Sequence, residues 1–222
     1  MVKHLQQRVG VAVDVVVFTV ESGRLSVLLI QVKRPPFEGR WALPGGLIGE
    51  AETLEEAAAR ELAEKTGMED VYMEQLYTFS APRRDPAGRV VAAAYLVLVP
   101  AEGVLLRTPE KYAGIGWFDV SALPHLAFDH EEMVSYAVQR LRYKLEYTNV
   151  AYSLLPESFT LSELQRAYES ILGRALDPRN FRKRITSLGL IEPTGEERRG
   201  GAHRPAHLFR FTTREPKIIA VL

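Results

Sequence analysis

The sequence contains no cysteine among its 222 residues, so disulfide bonds and thiolate metal sites are excluded. It also lacks a long apolar run. The first such run, residues 9–20, contains Asp14 and is too short to cross a membrane. The residues before it do not have the pattern of a secretory signal. We therefore expect a cytoplasmic protein without a membrane partner.

A net charge is also lacking, because 28 Lys and Arg residues balance 28 Asp and Glu residues. The charges are nevertheless unevenly distributed. Residues 148–222 hold 12 Lys and Arg against 8 Asp and Glu, a net charge of +4, so the rest of the chain carries −4. Parts of opposite sign indicate two modules with different partners. We predict a first domain at residues 1–149 and a second at residues 150–222.

The predicted first domain has the pattern of an α/β protein. Its Val-, Ile- and Leu-rich runs predict strands at residues 9–20, 25–32, 41–47, 71–79, 89–99 and 115–120. Residues 54–66 predict a helix that ends at Gly67, and residues 131–145 predict a second, longer helix. This order predicts a sandwich in which helices flank a mixed sheet.

A group of residues with fixed spacing spans the end of one predicted strand and the first helix. Its members are Gly46, Glu52, Arg60, Glu61, Leu62, Glu64 and Gly67. The spacing resembles the box of the Nudix family, whose members hydrolyse nucleoside diphosphates linked to another moiety. The resemblance implies the Nudix α/β sandwich fold. It also implies that, in an active enzyme, Glu61 and Glu64 would be the catalytic residues and would ligate Mg²⁺ beside the diphosphate.

One position of the box departs from the family pattern. Lys65 stands where the family has the second glutamate of a pair, four residues after Glu61 on the same helix face. This order favours a Glu61–Lys65 ion pair, and an ammonium group near a divalent ion costs roughly several kcal/mol. We therefore expect hydrolysis to be impaired, whereas anion binding can be retained. In the alternative, Lys65 points to solvent and Glu61 with Glu64 still binds Mg²⁺.

The loops around the box are rich in arginine and aromatic residues. Pro82 and residues 81–89, together with residues 34–41, resemble segments of the ADP-ribose-directed Nudix subgroup. Arginine suits phosphate oxygens, and aromatic faces stack on adenine. The predicted ligand-binding residues are Phe37, Arg40, Trp41, Arg60, Glu61, Glu64, Arg83, Arg84, Asp85 and His130. The alternative is that the individual arginines are solvated loop charges and that His130 only begins a helix.

The predicted second domain begins with two short helices. Thr160 and Glu163 have the spacing of a capping box in front of a helix that ends at Gly173. Asp177 and Pro178 begin a second helix that ends near Gly189. Two helices joined by a short connection predict a helix-turn-helix arrangement.

The second of these helices has two chemically different faces. Phe181, Ile185 and Leu188 form an apolar stripe, and basic residues lie opposite it, as docking in a DNA major groove requires. Residues 190–192 and 207–212 predict two strands that enclose a basic loop, the pattern of a wing. The predicted DNA-binding residues are Arg179, Asn180, Arg182, Lys183, Thr186, Arg198, Arg199, His203 and Arg204. In the alternative, these charges are solvated and the domain binds a protein.

Together the two modules resemble the Nudix-related transcriptional regulators, in particular those of bacterial NAD metabolism. The resemblance implies a homodimeric repressor whose winged helix binds double-stranded operator DNA without a cofactor. Its Nudix-like pocket would sense ADP-ribose or a related metabolite, and the helix at residues 131–145 would couple the two. Two alternatives remain open: an active pyrophosphatase for ADP-ribose-type substrates, and a sugar-sensing regulator of pentose use with the same architecture.

Overall fold

The computed structural model describes residues 8–69, 71–102, 106, 110, 112–198, 205–219 and 221. The chain divides into two units. One comprises Met1–Val17, Val27–Val97 and Leu105–Ala137, and the other comprises Phe18–Ser26, Leu98–Val104 and Val138–Leu222. This division passes through the long helix rather than after it, so the boundary between residues 149 and 150 stays a prediction.

One mixed sheet of seven strands dominates the first half of the chain. The strands are β1 (Gly10–Glu21), β2 (Arg24–Val32), β3 (Trp41–Ala42), β4 (Gly45–Leu47), β5 (Tyr72–Phe79), β6 (Val90–Leu98) and β7 (Tyr112–Asp119). Their order is β3-β2-β1-β6-β5, with β4 paired to β1 and β7 to β2. The single strand predicted at residues 41–47 is two strands, because β3 pairs with β2 whereas β4 pairs with β1.

The sheet forms a core because its central strands are buried on both faces. In β1, consecutive residues from Ala12 to Phe18 are buried, which is typical of a strand covered on both sides. Helix α1 (Leu54–Thr66) begins at a capping box of Thr53 and Glu56 and ends at Gly67, whose φ of 72° suits glycine. The bounds predicted for this helix are confirmed. Helix α2 (His130–Tyr147) is longer than predicted by a few residues.

The second half of the chain contains the elements of a winged helix. A short 3₁₀ helix (Val150–Leu154), which was not predicted, precedes α3 (Leu161–Leu172), α4 (Pro178–Ser187), β8 (Ile191–Arg198) and β9 (Ala206–Phe211). The predicted caps of α3 and α4 form as hydrogen bonds to Thr160 and Asp177. Strand β8 is longer than predicted because its pairing with β9 continues to Arg198.

No helix within the described residues is long and apolar enough to span a membrane.

Candidate functional site

A pocket of about 280 Å³ opens beside strands β1, β2 and β4. Its apolar floor comes from strand residues such as Ala12, Ile30 and Ala42. The polar and aromatic residues of its wall are Asp14, Arg84, Asp85, Tyr112, Phe128 and His130. An apolar floor with a few convergent polar groups is the usual composition of a small-molecule site. Of the predicted ligand-binding residues, Arg84, Asp85 and His130 line this pocket.

Arg84 is the centre of a buried ion network in the pocket wall. Its guanidinium contacts Asp129 at 2.7 and 2.9 Å and Asp14 at 3.3 Å, and its side chain is only 3% exposed. Burial alone would lower the pKa of Arg84, but the hydrogen bond to Asp129 and the charge of Asp14 outweigh it and raise that pKa. Arg84 is therefore not the solvated loop charge of the alternative reading, and two carboxylates already hold it.

His130 begins helix α2 and also forms part of the pocket wall. The backbone N–H of Leu43 donates to its Nδ1 at 2.9 Å, and its Nε2 lies 3.4 Å from Asp14 Oδ1. A ring nitrogen that accepts a hydrogen bond carries no proton, so the proton of the neutral ring belongs on Nε2, facing Asp14. The network thus joins strand β1, the Arg84 loop and the first turn of α2.

Aromatic rings form one side of the pocket mouth. The ring centroid of Phe128 lies 4.4 Å from that of Phe37 and 5.1 Å from that of His130, and the guanidinium of Arg40 lies 5.7 Å from the Phe37 ring. Phe128 is 39% exposed and has a φ of 53°, a conformation that bulky residues rarely adopt. Phe128 lines the pocket although it was not among the ten predicted ligand-binding residues.

Trp41 packs against another aromatic residue of the sheet. Its ring packs against Phe118 with centroids 4.5 Å apart, and its carbonyl accepts a hydrogen bond from the N–H of Ala127. Trp41 is not among the residues that line this pocket, and its predicted contact with the ligand stays a prediction. Arg83, which is exposed, and Arg40 also lie outside the lining set.

Arg60 holds the carboxylates of the Nudix box together. It donates to Glu52 at 2.5 and 3.0 Å and to Glu61 at 2.8 Å, and it lies 3.7 Å from Glu64. The hydrogen bonds from Arg60 and from the Gly49 amide lower the pKa of Glu52 to about 2. The side chain of Lys65 lies outside the described residues, so its predicted ion pair with Glu61 stays a prediction.

This arrangement bears on the metal site that the family implies. Three box glutamates surround a guanidinium, where a magnesium site requires several oxygens directed at one empty point. Within the described ranges, no group of three or more His, Asp or Glu residues could hold a metal ion. Ligation of Mg²⁺ by Glu61 and Glu64 therefore stays a prediction.

Tyr112 is one of the residues that line the pocket. Burial, and then the negative charge of Glu64, raise the pKa of Tyr112 to about 12. The phenol therefore stays protonated at neutral pH and is a hydrogen-bond donor beside the pocket.

Gly45 approaches strand β1 so closely that no side chain fits. A Cβ atom at this position would lie 2.6 Å from the Val13 carbonyl oxygen and would also meet the Asp14 carboxylate. We expect Gly45→Ala to lower the free energy of unfolding by about 1–3 kcal/mol, because the paired backbone of β1 has no room to move. Urea denaturation measures this change.

Gly88→Ala is the matched control for Gly45→Ala. Apart from Gly88 and its two chain neighbours, no heavy atom lies within 4 Å of a Cβ at Gly88, and its φ is not in the positive region. This variant should keep its stability or gain up to about 1 kcal/mol. Equal stability of the two variants would contradict the close approach at Gly45.

Helix α4 presents the basic face that the sequence predicted. Phe181 and Ile185 are buried, at 5% and 2% exposure, and anchor the helix to the core. The predicted DNA-binding residues of the helix, Arg179, Asn180, Arg182, Lys183 and Thr186, are all exposed. Tyr168 of α3 packs edge-on against Phe181, which fixes the helix-turn-helix geometry.

The base of the predicted wing is tied to helix α3. Arg198 donates to Glu163 at 2.6 Å and to the Ser158 carbonyl at 3.3 Å. Burial raises the pKa of Glu163, but its hydrogen bonds with Thr160 and the charge of Arg198 outweigh that effect and lower it. Arg198 therefore joins the end of strand β8 to helix α3, and its predicted contact with DNA stays a prediction. The remaining predicted wing residues, Arg199, His203 and Arg204, lie outside the described residues.

These features define a protein with a small-molecule pocket on a Nudix-type sandwich and a winged helix with an exposed basic recognition face. The NUDIX domain family profile matches residues 8–137, and the profile of the NrtR DNA-binding winged helix domain matches residues 151–211. The chain therefore belongs to the family of NUDIX-domain proteins that carry an NrtR DNA-binding winged helix domain.

Three relatives illustrate the similarity. The "ADPR responsive transcriptional repressor NtrR" of Acinetobacter baylyi is 36% identical over 206 residues, which cover 91% of this chain and 82% of the relative. The crystal structure of Shewanella oneidensis NrtR complexed with a 27mer DNA is 36% identical, with a TM-score of 0.79 over 91% of this chain and 93% of that one. The NUDIX domain of the same protein complexed with ADP ribose is 34% identical, with a TM-score of 0.56 over 64% and 94%.

Proposed function

We propose that this protein is a transcriptional repressor that binds operator DNA through its winged helix and is controlled by ADP-ribose, or a closely related NAD metabolite, in its Nudix-type pocket. The observation that carries the proposal is the combination of an exposed basic face on α4 with a pocket in which Asp14, Arg84 and His130 converge beside apolar strand residues. The proposed repressor acts in the cytoplasm. It acts as a homodimer, because winged-helix repressors pair to read two half-sites.

The DNA-binding part rests on charge and geometry. Arg179, Arg182 and Lys183 are exposed on one face of a helix whose opposite face is buried. Such residues neutralise phosphates, while arginine and Asn180 can read base edges in the major groove. The relative from Shewanella oneidensis was crystallised with DNA and supports this assignment.

The ligand-binding part rests on the composition of the pocket. Phe128 and Phe37 offer aromatic faces for an adenine ring, and the protonated Tyr112 phenol adds a polar group to the pocket lining. Asp14, Arg84 and His130 form a rigid wall that connects any bound molecule to the start of α2. The ADP-ribose complex of the relative's NUDIX domain supports ADP-ribose as the ligand.

We propose that the ligand is bound and not consumed. Arg60 donates to Glu52 and to one oxygen of Glu61 and lies 3.7 Å from Glu64, so its positive charge competes with a metal ion for the box carboxylates. After incubation of the protein with ADP-ribose and Mg²⁺, chromatography should recover ADP-ribose intact, at the level of a protein-free sample. Turnover that disappears in Glu64→Gln would instead support the active pyrophosphatase.

The test of the proposed function is a selection of bound fragments from the source genome, repeated with ADP-ribose and with a pentose. The proposal predicts recovery of one or a few specific sequences and a change of recovery on addition of ADP-ribose. Recovery of no specific sequence would contradict the repressor. A response to the pentose alone would favour the sugar-sensing alternative.

A further inference from the structure

The chain continues past strand β9 into a C-terminal segment, residues 212–219 and 221, to which the proposed function assigns no role. It lies beyond residues 151–211, where the winged-helix profile matches. Most of its residues are exposed, but Val221 is completely buried. A buried residue near the end of an otherwise exposed segment indicates that the segment is held in place.

The C-terminal segment caps the last turn of helix α2. The N–H of Ile219 donates to the Tyr147 carbonyl at 2.8 Å, and the N–H of Val221 donates to the Glu146 carbonyl at 2.7 Å. The last four carbonyls of a helix have no partner within the helix, so these bonds satisfy groups that would otherwise depend on water. Thr148 pairs with Ile218 as an antiparallel bridge and extends the attachment by one residue.

Asn149 strengthens this attachment with three hydrogen bonds of its own. Its side-chain oxygen accepts from the N–H of Lys217 at 2.7 Å, and its side-chain nitrogen donates to the Glu215 carbonyl at 2.9 Å. Its backbone N–H donates to the Lys217 carbonyl at 3.2 Å. The residue is 1% exposed, so water does not replace these bonds cheaply.

The C-terminal segment also contacts the recognition helix. The Nε of Arg184, on α4, donates to the Val221 carbonyl at 3.1 Å. The N–H of Val221 therefore donates to the end of α2, and its carbonyl accepts from α4. This one residue is hydrogen-bonded to both helices. At the start of the segment, Arg214 donates to the carbonyls of Tyr152 and Leu155 at 2.7 and 2.8 Å.

We infer that the C-terminal segment is a positioning element that couples the end of α2 to α4, and that Asn149, Arg184 and Val221 are its positioning residues. The inference rests on the proposed function. Helix α2 begins at His130 in the pocket wall and runs without interruption to Tyr147. A shift of this helix on ligand binding reaches α4 through hydrogen bonds rather than through a free linker, and thereby changes how the basic face meets DNA.

The experiment measures the dissociation constant of a selected DNA fragment with and without ADP-ribose, in the full chain. The quantity of interest is the ratio of these two constants. We expect Arg184→Gln and Asn149→Ala to bring the ratio at least about fivefold closer to one, since a coupling of typical size is about 5–150-fold. Their affinity for ADP-ribose, measured by calorimetry, should stay within about twofold of that of the unmodified protein.

Arg210→Gln is the matched control for Arg184→Gln. It removes the same charge from an exposed arginine of β9 that pairs with Glu192 and is outside the connection. A loss of charge or of stability alone weakens DNA binding equally in both ligand states and leaves the ratio unchanged. If Asn149→Ala does not fold, the comparison of Arg184→Gln with Arg210→Gln still tests whether the C-terminal segment couples α2 to α4.

The experiment distinguishes a failure of the inference from a failure of the proposed function. If the unmodified protein responds to ADP-ribose and Arg184→Gln keeps the same ratio, or changes it no more than Arg210→Gln does, the inference is overturned and the proposed function stands. If the unmodified protein binds no specific DNA, or binds it equally with and without ADP-ribose, the proposed function is overturned together with the inference.

Discussion

Replacement of Arg84 by alanine is expected to lower the free energy of unfolding by about 3–5 kcal/mol, because it leaves the Asp14 and Asp129 carboxylates without their shared cation. The two side chains are only 8% and 14% exposed. Carboxylates that cannot reach water must either remain charged side by side or bind a proton. For a chain of this length the expected fall in Tm is about 6–20 °C.

The measurement is thermal and urea denaturation of Arg84→Ala beside Arg83→Ala. Arg83 is the exposed neighbour of Arg84, so its removal should change stability by no more than about 0.5 kcal/mol. Asp129→Asn, added to Arg84→Ala, should restore part of the loss because it removes one of the two stranded charges. Equal stability of the two arginine variants would show that the network does not hold the pocket wall.

The second large effect is expected at the basic face of α4. The double variant Arg182→Ala, Lys183→Ala removes two exposed cations on the side of the helix opposite Phe181 and Ile185. If both contact phosphates, the slope of log K against log salt should become less steep by about 1.8, at about 0.9 for each contact. DNA affinity at physiological salt should then fall at least about tenfold.

A matched control separates local contact from overall charge. Arg8→Ala, Arg34→Ala removes the same two charges from exposed positions in residues matched by the NUDIX profile. We expect this variant to keep the salt slope of the unmodified protein. Binding that is insensitive to loss of Arg182 and Lys183 would point to the protein-interaction alternative for the winged helix.

Local signals made most elements of the fold predictable from the sequence. The capping box at Thr160 and the glycines at the helix ends act within a few residues, so the bounds predicted for α1 and α3 hold. The apolar runs of β1 and β2 likewise identify buried strands. The 3₁₀ helix at Val150–Leu154 has no such local signature and went unpredicted.

The candidate site was less predictable because its residues depend on partners far away in the chain. The two carboxylates that engage Arg84 lie 70 and 45 positions away, so a basic loop and a buried ion network look alike in sequence. Arg198 pairs with Glu163 across 35 positions for the same reason. The attachment of the C-terminal segment could not be predicted from the sequence either, because it depends largely on backbone hydrogen bonds, which almost any residue can supply.

The most direct test of the central claim, that ADP-ribose and operator DNA control each other's binding, is the affinity of ADP-ribose for the free and for the operator-bound protein. The account predicts that the two dissociation constants differ, and by the same factor by which ADP-ribose changes the affinity for the operator, because the coupling of two sites is reciprocal. Equal affinity of ADP-ribose for the free and the operator-bound protein would contradict a ligand-controlled repressor.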